Sequence, residues 1–466
     1  MQIVMERETI KDGREKMPIW LNVSENIIII SAMLIFTLNY TVIGIVRGSI
    51  FSPLKNLIML ALFVLFIYRF ITVSKQQRKR WFTDRFLYVP SAVWLILFFA
   101  VRCLCFAVED FQYGVLREIF FEFVFLVVIC GWTVGRQVKV ELLAFVFCAV
   151  NFIVNIANTY CVHILDISFQ EGTSEGGLLK FLTGLSTYYD AGASGYNNAI
   201  LYSNPNSAGI MTGMAILLSL LFIKKRKYIP IMTLYWIYSL YVLWKYDSRG
   251  AILSFVVSLI CILLMKAFRF FTPKRLVAIC LIASSMAAVF IYGYIAYNMN
   301  DNDRTLSSSE EKINSLSTGR YIIWQDCYIS HSDKWALGTG SPTLEKDERN
   351  EYLKSQYISN YGTEEGYLPT TFSVHNGYLA TIFITGWIGF GLFMIIMLDK
   401  IRKARALSAR STHNMVLAST VIFAFMVSNF EALLVTSRYY TILMVFIILA
   451  WGSDSADESE RTLNAV

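Results

Sequence analysis

The chain has 466 residues, of which 56% are hydrophobic and 16% are charged, and its formal net charge is +7. This composition excludes an ordinary soluble domain and a disordered chain, because both carry more charge and fewer apolar residues. The basic residues cluster beside apolar segments, so the positive charge indicates membrane topology rather than nucleic-acid binding, and no nucleic acid is expected as a partner.

Apolar segments of about 18 to 22 residues recur along nearly the whole chain, a pattern typical of membrane-crossing helices. They predict an all-α fold, a polytopic integral membrane protein with about 12 transmembrane helices. In chain order the predicted spans are Asn26–Val46, Leu54–Val73, Leu87–Val108, Ile119–Val134, Val140–Leu165, Ala208–Ile223, Ile229–Trp244, Ala251–Phe268, Leu276–Tyr297, Gly377–Leu398, Met415–Leu434 and Tyr439–Trp451.

Clusters of Lys and Arg mark one face of this predicted bundle. They are SKQQRKRW (Ser74–Trp81), KKRK (Lys224–Lys227), TPKR (Thr272–Arg275) and KIRKAR (Lys400–Arg405). Short loops rich in Lys and Arg remain in the cytoplasm, so both termini are expected to be cytoplasmic. The first apolar segment lacks a small-residue cleavage site and is interpreted as a retained signal anchor.

Two long connections are predicted on the opposite, outer face. They run from about Ser168 to Ser203 and from about Asn298 to Val374, and the second has roughly 75 residues. A connection of that length usually carries function or short helices of its own. The eight Cys residues lie mostly in apolar segments, and neither zinc-ligand spacing nor a phosphate-binding loop is present. The sequence therefore predicts no metal and no cofactor.

Polar motifs collect at the predicted outer ends of the spans. YSNPNSAG opens the sixth span, YDSRGAI joins the seventh and eighth, STGRYIIW lies in the large loop, and HNGYL opens the tenth. Further polar residues lie near the outer end of the eleventh span and just beyond it. The candidate site residues are Asn204, Asn206, Arg249, Arg320, His375, Asn376, Glu431 and Arg438.

Each candidate also has a purely structural interpretation. Asn204 and Asn206 flank a proline, as residues that cap a helix do. His375 is consistent with a hydrogen-bonded interfacial group, and the outer arginines with side chains that extend to the membrane surface. Asn376 either orients His375 or caps the following helix. Glu431, predicted inside a span, is costly unless it is partnered, so it indicates function or a structural ion pair.

Taken together, the set suits phosphate and proton chemistry. Arginine is permanently charged, and its planar fork pairs with two phosphate oxygens. A histidine with an ordinary pKa accepts a proton from a sugar hydroxyl at neutral pH. No nucleotide supply exists outside the cell, so a sugar donor has to arrive already activated, as a lipid-linked diphosphate sugar.

Five motifs carry a resemblance to a known family. NPNSAG, DSRGA, TGRYIIW, WALGTG (Trp335–Gly340) and HNGYL occur in the order and topology of the O-antigen ligase and polymerase superfamily, over roughly Tyr202 to Gly391. The resemblance implies an all-helical, metal-independent glycosyltransferase that moves a glycan from undecaprenyl diphosphate to an acceptor hydroxyl. It implies that Arg249 and Arg320 hold the diphosphate and that His375 activates the acceptor.

The expected organisation follows from this resemblance. Residues 1–201 hold N-terminal spans and the first long outer loop, 202–398 the ligase/polymerase-like core with the large extracytoplasmic loop 298–374, and 399–466 the last spans and a cytoplasmic tail. Asn204, Asn206, Asn376, Glu431 and Arg438 are expected to bind substrate. The site is expected to face outward from a bacterial cytoplasmic membrane.

The predicted function is polymerisation of undecaprenyl-diphosphate-linked oligosaccharide repeat units for a surface polysaccharide such as a capsule, an exopolysaccharide or an O-antigen. Membrane lipid, a chain-length regulator and a flippase are the further candidate partners. Three alternatives stay open: an O-antigen ligase, a protein O-oligosaccharyltransferase of the same family, and a flippase or transporter of lipid-linked glycans. The sequence shows neither a repeated half nor a pair of Gly/Pro-broken spans at matching positions. Both features are typical of transporters, so their absence counts against that alternative.

Overall fold

A computed structural model describes single positions between 27 and 71, and then residues 89–108, 140–164, 198–202, 204–223, 229–298, 307–317, 319–338, 374–404, 407 and 410–434. These residues form helices and connecting turns, and the described part has no strand beyond one isolated bridge between Thr41 and Tyr202. The all-helical fold class is thereby confirmed. The spans predicted at Ile119–Val134 and Tyr439–Trp451 lie outside the described residues, so the count of twelve stays a prediction.

The described helices follow the predicted spans closely. For the described helices between Val89 and Lys403, predicted boundaries differ from the observed ones by a few residues, because apolar length sets the span while capping residues set the ends. The helices are α1 (Val89–Val108), α2 (Val140–His163), α3 (Pro205–Ser219), α4 (Ile229–Lys245), α5 (Arg249–Ala267), α6 (Pro273–Asn298), α7 (Ser308–Leu316), α8 (Arg320–His331), α9 (Gly377–Lys403) and α10 (Thr412–Val427).

Five of the described helical segments are long and apolar enough to cross a membrane. They are Glu141–His163, Pro205–Phe222, Arg249–Ala267, Pro273–Asn298 and Gly377–Arg402. Their outward faces carry large exposed apolar side chains such as Ile153, Leu263 and Phe290. Exposed apolar faces of this length are what a bilayer requires, so the chain is an integral membrane protein.

Helices α3 and α10 form the centre of the bundle. All residues from Ser207 to Ser219 in α3 are buried, and α10 packs against α3, α5 and α6. Small residues let these helices approach closely: a Cβ on Gly213 would lie 2.9 Å from the ring of Phe423. Helices that are apolar on all sides are expected in the middle of a bundle, and small residues at their contacts are typical of membrane proteins.

The prediction for the eleventh span is wrong at its outer end. The span was expected to continue to Leu434, but α10 ends at Val427 and residues 428–434 form a turn. Polar side chains end the helix: Ser428 Oγ donates to the Ala424 carbonyl, and Asn429 Nδ2 donates to the Met426 carbonyl at 3.1 Å. The apolar residues that follow hide this ending in the sequence. Glu431 therefore lies in a turn at the end of the bundle and not on a membrane helix.

Helix α9 is kinked where a segment beyond α8 contacts it. Gly386 has φ 63° and ψ −176°, a conformation that is essentially restricted to glycine. The kink leaves two amides of α9 without helical partners, and they donate to the segment that follows α8: Trp387 N to the Trp335 carbonyl at 3.0 Å and Ile388 N to the Ala336 carbonyl at 3.2 Å. Part of the WALGTG motif therefore holds α8 against the membrane helix that begins beside His375.

Candidate active site

The turn after α10 carries a buried carboxylate on which several candidate residues converge. Glu431 Oε1 accepts a hydrogen bond from Asn206 Nδ2 at 2.6 Å, and Oε2 lies 3.2 Å from His375 Nδ1. Arg320 Nη2 lies 3.7 Å from Oε1. Glu431 is 5% exposed, so these contacts offset the cost of burying its charge. Residues from three distant parts of the sequence thus meet at one carboxylate.

The two asparagines of the NPN motif make different contacts: Asn204 caps a helix, and Asn206 belongs to this cluster. Asn204 caps α3 by accepting a hydrogen bond from Ser207 N at 2.6 Å, and Pro205 is the first residue of the helix. Asn206 points instead to Glu431, and its Oδ1 accepts from Ser248 Oγ at 3.1 Å. The start of α3 is therefore fixed by one asparagine while the other links Glu431 to the turn before α5.

His375 is held in an uncommon backbone conformation. Its φ is 48°, in the left-handed region that few non-glycine residues adopt. The carbonyl of the preceding Val374 accepts a hydrogen bond from Trp324 Nε1 of α8 at 2.8 Å. Such a conformation persists only where the surroundings impose it, and it is concentrated at functional sites. The imidazole is 32% exposed, so one face of it is accessible.

Asn376 is the cap of α9. Its Oδ1 accepts hydrogen bonds from Tyr378 N and Leu379 N, both at 3.0 Å. Its Nδ2 donates to the Asn429 carbonyl at 3.2 Å, which ties the start of α9 to the turn that carries Glu431. The amide thus acts on His375 through the backbone, by fixing the helix that begins immediately after it.

The contact between His375 and Glu431 determines the tautomer of the imidazole. An ionised carboxylate only accepts hydrogen bonds, so Nδ1 has to carry the proton that it donates to Glu431. The neutral ring then has its lone pair on Nε2, the nitrogen that acts as acceptor or base. This arrangement, a carboxylate that orients a histidine, is a general way of preparing an imidazole for proton transfer.

Arg320 is the first residue of α8 and is bound on two sides. Its Nη1 donates to the Phe430 carbonyl at 2.9 Å, and Nη2 faces Glu431. Gly319 before it has φ 80°, so the entry to α8 needs a glycine. The guanidinium therefore holds the turn after α10 and stays partly accessible, with 20% of the side chain exposed.

Arg249 differs from Arg320 in its exposure. It is the first residue of α5, and its side chain is exposed. Asp247, two residues earlier, has φ 50°. Within the described ranges, Asp247 and His375 are the two non-glycine residues with a positive φ. A Cβ on Gly250 would lie 2.6 Å from Phe430 Cβ, so the start of α5 rests directly on the turn that carries Glu431. Arg249 is thereby held at the edge of the cluster.

Helix amino termini and arginines surround the buried carboxylate of the cluster. The amino-terminal ends of α3, α5 and α9 meet there through Asn206, Ser248 and His375, and helix amino termini carry partial positive charge. Two guanidinium groups add to that field. Within the described ranges, His, Cys, Asp and Glu side chains form no group of three that could hold a metal ion. Arginine side chains and backbone amides at helix amino termini are groups that bind phosphate in proteins generally.

Helices α7 and α8 are joined by a carboxylate of their own. Glu310 Oε2 accepts from Ser307 N at 2.9 Å, and Oε1 accepts from Tyr321 Oη at 2.9 Å and from Gln325 Nε2 at 3.1 Å. Burial alone would raise the pKa of Glu310, but these hydrogen bonds outweigh it and lower that pKa. These contacts fix α7 against α8, the helix that begins at Arg320.

The structure brings together Asn206, Arg320, His375 and Glu431, and it puts Arg249 at their edge. Asn204 and Asn376 are helix caps beside the cluster. Arg438 lies outside the described residues. Which of these residues bind substrate stays a prediction.

Two groups in the cluster were not predicted. Ser248 bonds Asn206, and its signal was present in the sequence, since it stands between Asp247 and Arg249 in the DSRGA motif. The Phe430 carbonyl holds Arg320, and no side-chain pattern reveals a backbone acceptor.

Comparison with known families finds a match to part of the chain. Residues 234–394 match a family model described as O-antigen ligase. A search among curated proteins found no match to the chain. The matched segment includes Arg249, Arg320 and His375, while Asn206 precedes it and Glu431 follows it. The resemblance drawn from the sequence motifs is confirmed by this match.

Proposed function

We propose that this membrane protein, in which residues 234–394 match a family model described as O-antigen ligase, polymerises lipid-diphosphate-linked oligosaccharide repeat units. The family supports a membrane glycosyltransferase activity of the O-antigen ligase kind. The donor we propose is an undecaprenyl diphosphate oligosaccharide, and the acceptor is a hydroxyl of a second lipid-linked unit. The site faces the outside of the cytoplasmic membrane in this proposal, as the basic loops favour.

One observation carries the proposal: a histidine is oriented by a buried carboxylate that Arg320 also approaches, and Arg249 begins a helix that packs against the same turn. His375 Nδ1 lies 3.2 Å from Glu431, and the same carboxylate accepts from Asn206. A base next to an anion-binding surface is what glycosyl transfer from a diphosphate requires, because a hydroxyl has to lose its proton while a diphosphate leaves.

In the proposed reaction, His375 Nε2 accepts the proton of the acceptor hydroxyl as that oxygen attacks the anomeric carbon. The bond between this carbon and the diphosphate oxygen breaks, and the electron pair leaves with the diphosphate. Arg249, which is exposed at the start of α5, neutralises the charge that develops on the leaving group. Arg320 contributes to the same field from its position beside Glu431.

Glu431 has a different role in this proposal from the substrate binding expected of it. Its carboxylate accepts from His375 Nδ1 and is buried, so it contacts the base rather than a sugar. It is a positioning residue: it fixes the tautomer of the imidazole and stabilises the imidazolium that forms during transfer. Asn206 and Arg320 hold the carboxylate in place.

Ligation to a lipid A core is the second candidate, because the matched family is described as O-antigen ligase. The acceptor distinguishes the two functions. Purified protein that receives only the lipid-linked oligosaccharide should give a ladder of longer lipid-linked chains if it is a polymerase. A ligase should leave that substrate unextended and transfer it only after a lipid A core acceptor is added. A flippase would produce neither extended chains nor free lipid diphosphate.

The decisive variants are at His375. We expect His375→Ala to insert normally and to lose turnover by about 100- to 10,000-fold, the usual contribution of one acid–base group. His375→Gln, which retains hydrogen bonding but cannot accept the proton, should be equally inactive. Product formed per inserted molecule is the measurement. Normal turnover in the Ala variant would exclude a catalytic role, and a half-active Gln variant would show that the imidazole only positions the acceptor.

A further inference from the structure

A second polar network lies inside the bundle, centred on helix α2. Asn151, Asn155 and Asn158 are spaced by four and three residues, so they lie on one face of the helix. All three are at most 2% exposed. Buried amides between membrane helices are costly unless they are hydrogen-bonded, so the partners of this row show what it serves.

Asn155 makes every hydrogen bond that an amide side chain can make. Its Nδ2 donates to Asn151 Oδ1 at 3.1 Å and to Thr212 Oγ1 at 3.2 Å. Its Oδ1 accepts from Tyr202 Oη at 2.6 Å and from Tyr246 Oη at 2.9 Å. Two donors and two acceptor lone pairs are the full capacity of an asparagine amide. Such a saturated group holds its neighbours in one arrangement.

The two tyrosines that donate to Asn155 are buried next to two turns of the candidate site. Tyr202 comes just before the NPN motif, and Tyr246 comes just before the DSRGA turn. Their rings also pack edge to face, with centroids 5.6 Å apart. Beyond the tyrosines the two turns touch again, where Ser248 Oγ donates to Asn206 Oδ1. The two turns are therefore joined twice: through the hydrogen bonds of both tyrosines to Asn155, and through the hydrogen bond between Ser248 and Asn206.

The third asparagine of the row supports the same segment. Asn158 Oδ1 accepts from Leu201 N at 2.9 Å, and its Nδ2 donates to the Asn198 carbonyl at 2.7 Å. This fixes the backbone of residues 198–202, which leads into the cap of α3. No other role is needed to explain why polar side chains are buried here.

From this geometry we infer that Asn155 is a positioning residue for the transfer reaction. Through Tyr202 and Tyr246 it sets the spacing between the turn that carries Asn206 and the turn that carries Arg249. This inference rests on the proposed function, because the spacing matters for turnover only if these turns hold the donor against His375. A misplacement on the order of 1 Å in such a site costs about 100-fold in rate.

Single hydroxyl deletions test the inference without a large packing change. Tyr246→Phe removes one hydrogen bond to Asn155. Tyr202→Phe removes one to Asn155 and also the one that Asn151 Nδ2 donates to the Tyr202 hydroxyl, and Asn155→Leu removes all four bonds of Asn155. Tyr238→Phe is the matched control, since Tyr238 Oη also bonds α2, at Thr159 Oγ1 and 2.8 Å, but lies in the middle of α4. Two quantities are measured: turnover per inserted molecule on the lipid-linked oligosaccharide, and hydrogen–deuterium exchange of the peptides covering 198–209 and 244–252.

We expect Tyr202→Phe and Tyr246→Phe to insert at the yield of Tyr238→Phe, to exchange faster in both peptides, and to turn over about 10- to 100-fold more slowly. Unchanged exchange in both peptides would overturn the inference and leave the proposed function intact. Faster exchange with normal turnover would also overturn it, because the network would then stabilise without positioning. An inactive wild-type protein would refute the proposed function instead, and the exchange measurement would still decide whether Asn155 holds the two turns.

Discussion

Two polar networks among the described residues, one around Asn155 and one around Glu431, differ in their access to solvent. The network around Asn155 is closed: Asn155 itself is 0% exposed and its amide is saturated by protein groups. The network around Glu431 is open, because His375 is 32% exposed on its side chain and Arg249 is exposed. A closed network holds elements in place, whereas an open one presents groups to a ligand. Substitutions in the two networks should therefore have different signatures.

The largest effect expected in the open network, after loss of the base, is at Arg249. We predict that Arg249→Lys lowers turnover about 100- to 1,000-fold, nearly as much as Arg249→Ala, because lysine keeps the charge but loses the bidentate fork. Arg320→Lys should cost less, since an ammonium group retains a hydrogen bond to the Phe430 carbonyl. Turnover is compared at matched membrane-inserted yield. If both Lys variants make chains of normal length, neither arginine clamps the diphosphate.

Glu431→Gln tests whether the carboxylate orients the base. The substitution keeps the size of the side chain but removes the charge that stabilises an imidazolium, so turnover should fall about 100-fold. The Km for the donor should change little, because Glu431 is buried and contacts His375 rather than substrate in our proposal. Asn206→Ala serves as a comparison, since it removes one hydrogen bond to the same carboxylate and should cost less. A raised Km with unchanged kcat would indicate that Glu431 binds the substrate and does not orient His375.

The two networks also differ in how far the sequence revealed them. Apolar length predicted the helices, and Arg249, Arg320 and His375 were recognised because they stand in polar motifs at the predicted outer surface that resemble those of a known family. The row of asparagines in α2 was not singled out, because it lies within an apolar span and its partners, Tyr202 and Tyr246, are distant in sequence.

The place of Glu431 was also missed, for a local reason. Ala432, Leu433 and Leu434 continue the apolar pattern of α10 after the helix has ended, so the turn at 428–434 was assigned to a span. Ser428 and Asn429 donate to the last carbonyls of the helix, but such residues also occur inside membrane helices, so they do not mark its end in the sequence. A pattern of apolar residues therefore predicts that a span exists better than it predicts where the helix stops.

A smaller effect is expected where the start of α5 rests on the open network. In Gly250→Ala the new Cβ would lie 2.6 Å from Phe430 Cβ, so the turn that carries Glu431 has to move. We expect about 10-fold lower turnover per inserted molecule, since a displaced carboxylate orients His375 poorly. Gly293→Ala on α6 is the matched control, because nothing lies within 4 Å of the Cβ it adds. Equal turnover in the two variants would contradict a close contact between Arg249's turn and Glu431's.

The smallest effect concerns a closed contact outside both networks, at the end of α8. His331 is fully buried, its Nδ1 lies 3.2 Å from Tyr292 Oη, and its ring centroid lies 5.4 Å from that of Phe383. Burial lowers the pKa of His331 from 6.5 to about 4, although a backbone hydrogen bond at Ile382 opposes the shift. The imidazole is therefore neutral in the folded protein at neutral pH.

The sign of the pH dependence follows from this lowered pKa. Below pH 6.5 the unfolded chain takes up a proton that folded His331 does not bind until about pH 4, so stability is complete above 6.5 and declines as the pH falls towards 4. We expect the melting temperature and the exchange protection of α8 to fall in this window. In His331→Phe, which keeps a ring but cannot titrate, the decline should be shallower, while turnover at pH 7 stays close to wild type. An identical pH profile in the two proteins would mean that other groups set the acid stability of α8, and a large loss of turnover in the variant would mean that this closed contact also positions Arg320.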